Sequence, residues 1–393
     1  MQRPHPMTSR ERILAALHGQ HIDRIPFTPL IDPYTLVDMP SEITGGQPPG
    51  YDLPGLKALI AASRALGCDV MLRHVPVTKP VEGGAPHLES LGRFGPPVVA
   101  KGERKGNQHI ETLTTPLGSL TGIWEFTDRV GWIPHPVRHA VNNYEELKIF
   151  HYAVDHLISQ PPAAEYDLFL QVDSEIGDDG IATASIPPSP LMFLIEELCG
   201  LENTYYLLQD CRTEIEDILA KLHASDKRFA KVVAASPAQV VIQYEDTSTT
   251  LMSPAIFRRY CLPYFNEYAE LMEDAGKIFL IHMCGKLRGL AADIGQGRFA
   301  GIADISPPPT GDLPLDEAAA NLSGKVVVGG IDPTTFVCQD SEAVKVEVSD
   351  LIRRIKPFRG VLLGSADTMP RGTRIENLRL IRHLVDTLYD RFD

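Results

Sequence analysis

Short apolar runs alternating with amphipathic stretches predict an α/β protein. The expected architecture is a (β/α)8 TIM barrel with an inserted antiparallel β meander, forming one domain over residues 1–393. Three observations support this. Alternating strand and helix signals imply a parallel sheet. The 393 residues accommodate a barrel of about 250 residues plus insertions. Polar residues gather where the apolar runs stop, and barrels carry their functional side chains at strand C-terminal ends.

The elements follow in order. Residues 9–17 read as an amphipathic helix with Ser9 as candidate N-cap, ending at His18-Gly19. Residues 24–30 read as a first strand bounded by prolines, 56–66 as a helix and 69–73 as a second strand. From about 90 to 135 the texture changes to short polar–apolar alternations with glycine turns (91–99, 110–115, 121–127), which is the meander, and both tryptophans, Trp124 and Trp132, fall within it. A helix near 144–153 follows. Strands are expected at 168–172, 181–185, 240–244, 278–282, 301–305, 326–330 and 361–364, and helices at 191–198, 213–234, 254–275 and 375–388. The nine strands exceed the eight barrel positions by one, so 168–172 or 181–185 is expected at the periphery.

Composition limits the function. Hydrophobic residues make up 44% and charged residues 22%, as in a soluble protein with a large core. There is no apolar run of about 18 residues, so no membrane span is expected, and no secretory signal follows the N-terminus. The six cysteines (Cys68, Cys199, Cys211, Cys261, Cys284, Cys338) form no C-x-x-C pair, which suits reduced thiols in the cytoplasm. A formal net charge of −14 argues against nucleic acid, whose binding draws on Lys and Arg. The interrupted run from Lys101 to Lys105 reads as a solvated hairpin edge. An acidic surface suits solubility or docking to a basic protein patch.

The most informative stretch is Ile278-Phe279-Leu280-Ile281-His282-Met283-Cys284-Gly285. An apolar strand ends in His-x-Cys before a glycine turn. Side chains at i and i+2 share a face, so His282 and Cys284 project together, a pairing that suits zinc. The alternative is a core cysteine beside a hydrogen-bonded histidine. Other strand ends offer Glu245 and Asp246, Asp304, Asp332, and Ser365 with Asp367. Of Glu245 and Asp246, one should face the barrel mouth and the other a helix. Asp332 also fits a helix-entry cap in Gly330-Ile331-Asp332-Pro333. Tyr34, Arg73, Trp124, Tyr244 and Met369 are candidates to line an apolar mouth, or are core residues.

Several segments carry a family resemblance across nearly the whole chain. They are Arg10-Glu11-Arg12-Ile13-Leu14-Ala15-Ala16-Leu17-His18-Gly19 through Asp23-Arg24-Ile25-Pro26, the stretch from Ser253 to Tyr264, His282-Met283-Cys284-Gly285, Val328-Gly329-Gly330-Ile331-Asp332-Pro333 and Glu376-Asn377. In this order the set resembles the uroporphyrinogen decarboxylase superfamily, and more closely its cobalamin-dependent methyltransferase branch. The decarboxylase itself is disfavoured, because its Arg-Gln-Ala-Gly-Arg substrate motif is absent after Pro26, where Phe27-Thr28-Pro29-Leu30-Ile31-Asp32 stands.

The resemblance implies a zinc barrel that moves a methyl group to or from a corrinoid. Thiol-methylating members carry a third ligand in a Gly-Cys turn, which here reads Gly364-Ser365. The ether-cleaving O-demethylase pattern, Glu-x14-Glu-x20-His, falls on Asp246, Cys261 and His282. The expected ligands are therefore His282, Cys284 and one carboxylate, Asp246 before Glu245, with Cys261 as the competing thiol. Asp304 and Asp332 are expected to orient His282 or deliver a proton.

The expected activity is transfer of methyl from a small methoxylated, aromatic donor to a corrinoid protein. The corrinoid must sit on a separate protein, because no Asp-x-His-x-x-Gly motif is found. The alternatives are the reverse half-reaction, from methyl-corrinoid to a thiol or tetrahydrofolate, and a metal-free barrel acting as a binding subunit. A homodimer is among the expected assemblies.

Overall fold

The computed structural model describes residues 6–48, 50–79, 94–126, 134–157, 163–322 and 324–389. The chain divides into two compact units. One comprises Met1–Val77, Tyr166–Ser185 and Pro237–Asp393; the other comprises Thr78–Glu165 and Ile186–Ser236. No described helix is long and apolar enough to cross a membrane.

The strands in chain order are β1 (Val70–Leu72), β2 (Val99–Lys105), β3 (Gln108–Thr115), β4 (Gly118–Glu125), β5 (His135–Arg138), β6 (Gly180–Ile186), β7 (Val240–Glu245), β8 (Ile278–Met283), β9 (Gly301–Ile305), β10 (Val326–Ile331) and β11 (Val361–Ser365). Seven of them form one sheet in the order β1-β6-β7-β8-β9-β10-β11, and the pairings β1–β6, β7–β8, β8–β9, β9–β10 and β10–β11 are parallel. The other four form an antiparallel meander, β2-β3-β4-β5. The meander was expected at about 90–135. The parts of that expectation at residues 91–93 and 127, and Trp132, lie outside the described residues. The run Lys101–Lys105 is the exposed end of β2.

Four sequence expectations are corrected. Residues 168–172 belong to a helix, Asp167–Ile176, in which Phe169, Val172 and Ile176 are buried and Leu170 is 52% exposed. That spacing is helical, and a five-residue apolar run is too short to reveal it. Residues 24–30 form no regular strand, only a parallel bridge between Phe27 and Leu363. Pro26 and Pro29 have no N–H, so a continuous ladder cannot extend through them. The segment still bonds on both sides. The Thr28 N–H donates to the Leu363 carbonyl at 2.8 Å, the Leu363 N–H to Pro26 at 3.0 Å, and the Asp69 N–H to Phe27 at 2.9 Å. The helix expected over 254–275 is two helices, Pro254–Tyr260 and Leu262–Asp274, broken at Cys261 where Pro263 opens the second. At the start, Thr8 rather than Ser9 caps the helix Ser9–Leu17, in a capping box with Glu11.

The core inside the parallel sheet is built from alternate strand residues. Val240 and Ile242, Ile278 and Leu280, Val326 and Val328, and Leu362 pack with Ile13, Ala16 and Leu17 of the first helix. That helix therefore covers the N-terminal end of the interior. It is pinned there by Arg12, which bonds Asp23 at 2.6 Å and the buried Asp69 at 3.0 Å, while Arg24 holds Asp69 with two nitrogens at 2.7 and 2.8 Å. The C-terminal end is left to polar residues.

Candidate metal centre

Strand parity places the site. On β7 and β8 the interior residues Val240, Ile242, Ile278 and Leu280 are followed, two positions on, by Tyr244 and His282. Two positions further come Asp246 and Cys284. The donor atoms of Asp246, His282 and Cys284 all lie within 4.8 Å of one another, and Cys284 Sγ is 3.7 Å from Asp246 Oδ1. His282 is buried, Cys284 half-buried and Asp246 exposed, so the cluster reaches solvent on one side. Gly285 turns the chain at φ +81°, where a Cβ would stand 3.1 Å from Ser248 Oγ. The Ser306 hydroxyl accepts from the Gly285 N–H at 3.4 Å and donates to the Ala366 carbonyl at 3.0 Å, tying together the ends of β8, β9 and β11.

His282 Nδ1 lies 2.5 Å from Asp304 Oδ2. Asp304 should not be there by simple alternation, because Ala303 already faces the interior. It is re-aimed by its backbone, whose φ of +68° is left-handed, opposite an irregularity in the β9–β10 register. The adjoining glycine makes this possible. Gly329 has φ +121°, and a Cβ on it would stand 2.7 Å from Ile305 N and 3.1 Å from the Asp304 carbonyl carbon. Asp304 is in turn gripped by Arg73, whose Nη2 donates to Oδ1 at 2.8 Å while Nη1 bonds Oδ2.

β1, which Arg73 follows, and β9 are four strand spacings apart in the sheet order. In a flat sheet they would be about 19 Å apart, so this contact requires strong curling. Tyr244 is stacked by His74 at 3.8 Å and lies against His282 at 5.3 Å between ring centroids, and Tyr51 meets His74 edge-on at 6.1 Å.

The electrostatics follow from burial and these contacts. Burial opposes ionisation of Asp304, but Arg73 and His282 outweigh it and hold the carboxyl well below the usual range. Burial likewise opposes the imidazolium of His282, yet the Asp304 carboxylate, with Cys284, raises it well above the usual value. Burial, with Arg73 and His282 nearby, pushes His74 down to about 3. Burial raises the Cys284 thiol against the pull of His282. It also raises Asp367, which feels His282, Asp304 and Asp246.

The donor set fits a borderline ion such as zinc, with one carboxylate, one imidazole and one thiol. Donors about 2.0–2.3 Å from a tetrahedral zinc stand about 3.3–3.8 Å apart, so the trio needs to close by no more than about 1.5 Å. With Nδ1 engaged by Asp304, Nε2 of His282 is the nitrogen available to a metal.

The remaining sequence candidates are placed as follows. Cys261 is fully buried, its Sγ 3.8 Å from Met252 Sδ, and is not in the donor group. Glu245 has the parity of Gln243, away from the interior, and accepts from Thr247 at 3.5 Å. Asp332 is a helix cap. It accepts from the Thr334 N–H at 2.9 Å and hydroxyl at 2.6 Å, and from the Thr310 hydroxyl at 2.7 Å. Arg73 is committed to Asp304. Met369 is fully buried and accepts from Thr35 through its carbonyl at 2.8 Å, and Tyr34 is half-buried on the helix Pro33–Leu36. Trp124 is buried on β4 in the other unit, edge-on to His139.

Sequence reasoning missed His74, whose only signal was its place directly after a strand-end arginine. A second donor group among the described residues, His151 with Asp155 and Asp217, already has Lys221 on both carboxylates.

An interior of alternating apolar residues with acids, a histidine and a cysteine beyond the C-terminal ends of parallel strands marks an α/β site. The chain belongs to the uroporphyrinogen decarboxylase (URO-D) family, whose model matches residues 185–388. A search of curated proteins returned no match. Among solved structures, a methyltransferase from Methanosarcina mazei is similar over 98% of this chain and 99% of its own, at 15% identity and a TM-score of 0.62, which establishes a shared fold. The spore cortex-lytic enzyme SleL of Bacillus megaterium (9% identity, 58% of this chain and 64% of its own, TM-score 0.31) overlaps only in part. So does a D-psicose 3-epimerase from Clostridium cellulolyticum (12%, 57% and 83%, TM-score 0.31).

Proposed function

We propose that the protein is a zinc-dependent methyltransferase that takes a methyl group from a small methoxylated aromatic compound and passes it to a corrinoid on a separate protein. The observation that carries this reading is the convergence of Asp246, His282 and Cys284, with Asp304 on the far nitrogen of the imidazole. Family membership and the fold shared with the Methanosarcina mazei methyltransferase support it. We read the seven-stranded sheet as the family's barrel, with the segment around Phe27, bonded to Leu363 and Asp69, taking the eighth position.

The chemistry follows from the chain's own groups. A zinc ion held by Asp246, His282 and Cys284 would supply a Lewis acid to the ether oxygen at the position that three protein donors leave open. Asp304 fixes the imidazole ring and leaves Nε2 facing the donors. The Asp246 carboxylate in place of a second thiolate makes the site less thiophilic, which suits an oxygen substrate. Asp367, half-buried and within the field of His282, is positioned to hand a proton to the departing oxygen. The acids Asp246, Asp304 and Asp367 disfavour a substrate carrying many carboxylates, so decarboxylation of such a tetrapyrrole fits poorly.

The test has two arms on protein purified without chelators and assayed for bound metal. In one, cob(I)alamin is mixed with aryl methyl ethers and methylcobalamin formation is followed by absorbance. In the other, methylcob(III)alamin is mixed with thiols. Turnover only in the second arm reverses the direction of transfer, and folded protein with neither metal nor turnover leaves a binding subunit.

A further inference from the structure

We propose that Arg73 is a positioning residue for the metal centre: by gripping Asp304 across the interior of the sheet, it fixes the carboxylate that aims His282. The proposal rests on the zinc reading above and names a group outside the donor trio.

Three features carry it. The first is the fork. Both terminal nitrogens of Arg73 engage both oxygens of Asp304, a planar bidentate match that a lysine cannot reproduce. The Arg73 side chain is 2% exposed and that of Asp304 is fully buried. A pair so buried is weak evidence of a contribution to stability, because desolvation offsets the attraction, so its placement asks for another explanation.

The second feature is the backbone built to receive it. Asp304 sits at φ +68°, in a region a non-glycine residue seldom adopts, and Gly329 provides the room. Strain at this point turns Asp304 toward Arg73 and His282 instead of toward the helices.

The third is continuity. The Oδ2 atom bonded by Arg73 is the one 2.5 Å from His282 Nδ1, so the guanidinium, carboxylate and imidazole form one chain. Without the fork, Asp304 keeps one anchor and gains freedom to rotate about its side-chain bonds. The imidazole then loses the fixed acceptor that holds its other nitrogen toward Asp246 and Cys284. Substituting groups that orient a ligating histidine commonly costs about 10–100-fold in metal affinity.

The experiment uses the full chain, stripped of metal and retitrated with zinc against a chromophoric chelator. A parallel sample is loaded with cobalt(II), whose visible absorption reports ligand geometry. Arg73→Lys keeps the charge and loses the fork, and Arg73→Met loses both. The expected result is about a tenfold loss of zinc affinity in Arg73→Lys, a larger loss in Arg73→Met, and a displaced cobalt band in both. Asp69→Asn, at the other end of β1, serves as the control for general destabilisation: it should lower the unfolding temperature and leave zinc affinity unchanged.

If wild type binds zinc and both Arg73 variants bind it equally well with an unaltered cobalt spectrum, Arg73 has no positioning role and the metal reading stands. If wild type binds no zinc, the metal reading and this proposal fall together. Should Arg73→Met not fold, the comparison of Arg73→Lys with Asp69→Asn still decides between the two outcomes.

Discussion

Replacing Gly329 with alanine should damage the site from a position that touches no donor. The added Cβ would lie 2.7 Å from Ile305 N and 3.1 Å from the Asp304 carbonyl carbon and Cα. Both neighbours are backbone, so no rotamer change relieves the overlap. Holding alanine at φ +121° costs about 1–3 kcal/mol, and forcing a methyl into a filled interior about as much again. Together these predict a loss of roughly 2–6 kcal/mol and, at about 1 °C per kcal/mol for a chain of 393 residues, a fall in unfolding temperature of at least about 2 °C. The displaced atoms belong to Asp304 and the Ile305 nitrogen bonded to it, so the 2.5 Å contact to His282 should open and zinc affinity should fall about tenfold or more. The matched control is Gly324→Ala, which adopts φ +81° with nothing within 4 Å of a built Cβ. It incurs backbone strain alone and should leave zinc binding intact. Calorimetry and chelator competition on both variants provide the measurement. A Gly329→Ala protein with wild-type stability and zinc affinity would show that the left-handed turn at Asp304 does not depend on this glycine.

Three further outcomes are expected. Cys284→Ser should lose zinc while Cys261→Ser keeps it, because the Cys261 thiol is packed against Met252 and away from the donors; metal analysis showing the reverse pattern would reassign the third ligand. Asp332→Ala should cost about 0.5–2 kcal/mol of stability as a lost helix cap and leave zinc content unaltered, and loss of metal in that variant would restore Asp332 to the site. Burial opposes ionisation of Asp69, but Arg24 and the Phe27 N–H overcome it and depress the folded carboxyl. That stabilisation is therefore complete above the ordinary carboxylate value of about 4 and is lost as pH falls through the lower folded value. Unfolding temperatures of Asp69→Asn should accordingly respond less steeply than wild type to acidification below about pH 4, and parallel curves for the two proteins would contradict this.

The sequence by itself determined the parallel strands from β6 to β11, because each is a short apolar run whose local pattern matches its burial. It also determined that His282 and Cys284 share a face, and that one residue of the pair Glu245 and Asp246 joins them, since both follow from the two-residue period of a strand. Long-range contact decided the rest. Residues 168–172 read as a strand, and only the helix Asp167–Ile176, which buries Phe169, Val172 and Ile176, overturns that reading. Asp332 was balanced between catalyst and cap until Thr310 and Thr334 were found on its oxygens. Asp304 reaches the interior against the alternation of its own strand, through a left-handed turn whose room is supplied by Gly329 on the neighbouring strand. Arg73 looked like a substrate contact, and its actual partner lies 231 residues away in the chain. Periodicity reports the face a side chain takes within its own element. Which groups meet across a curled sheet is set by the closure of the whole sheet, and no local pattern encodes that.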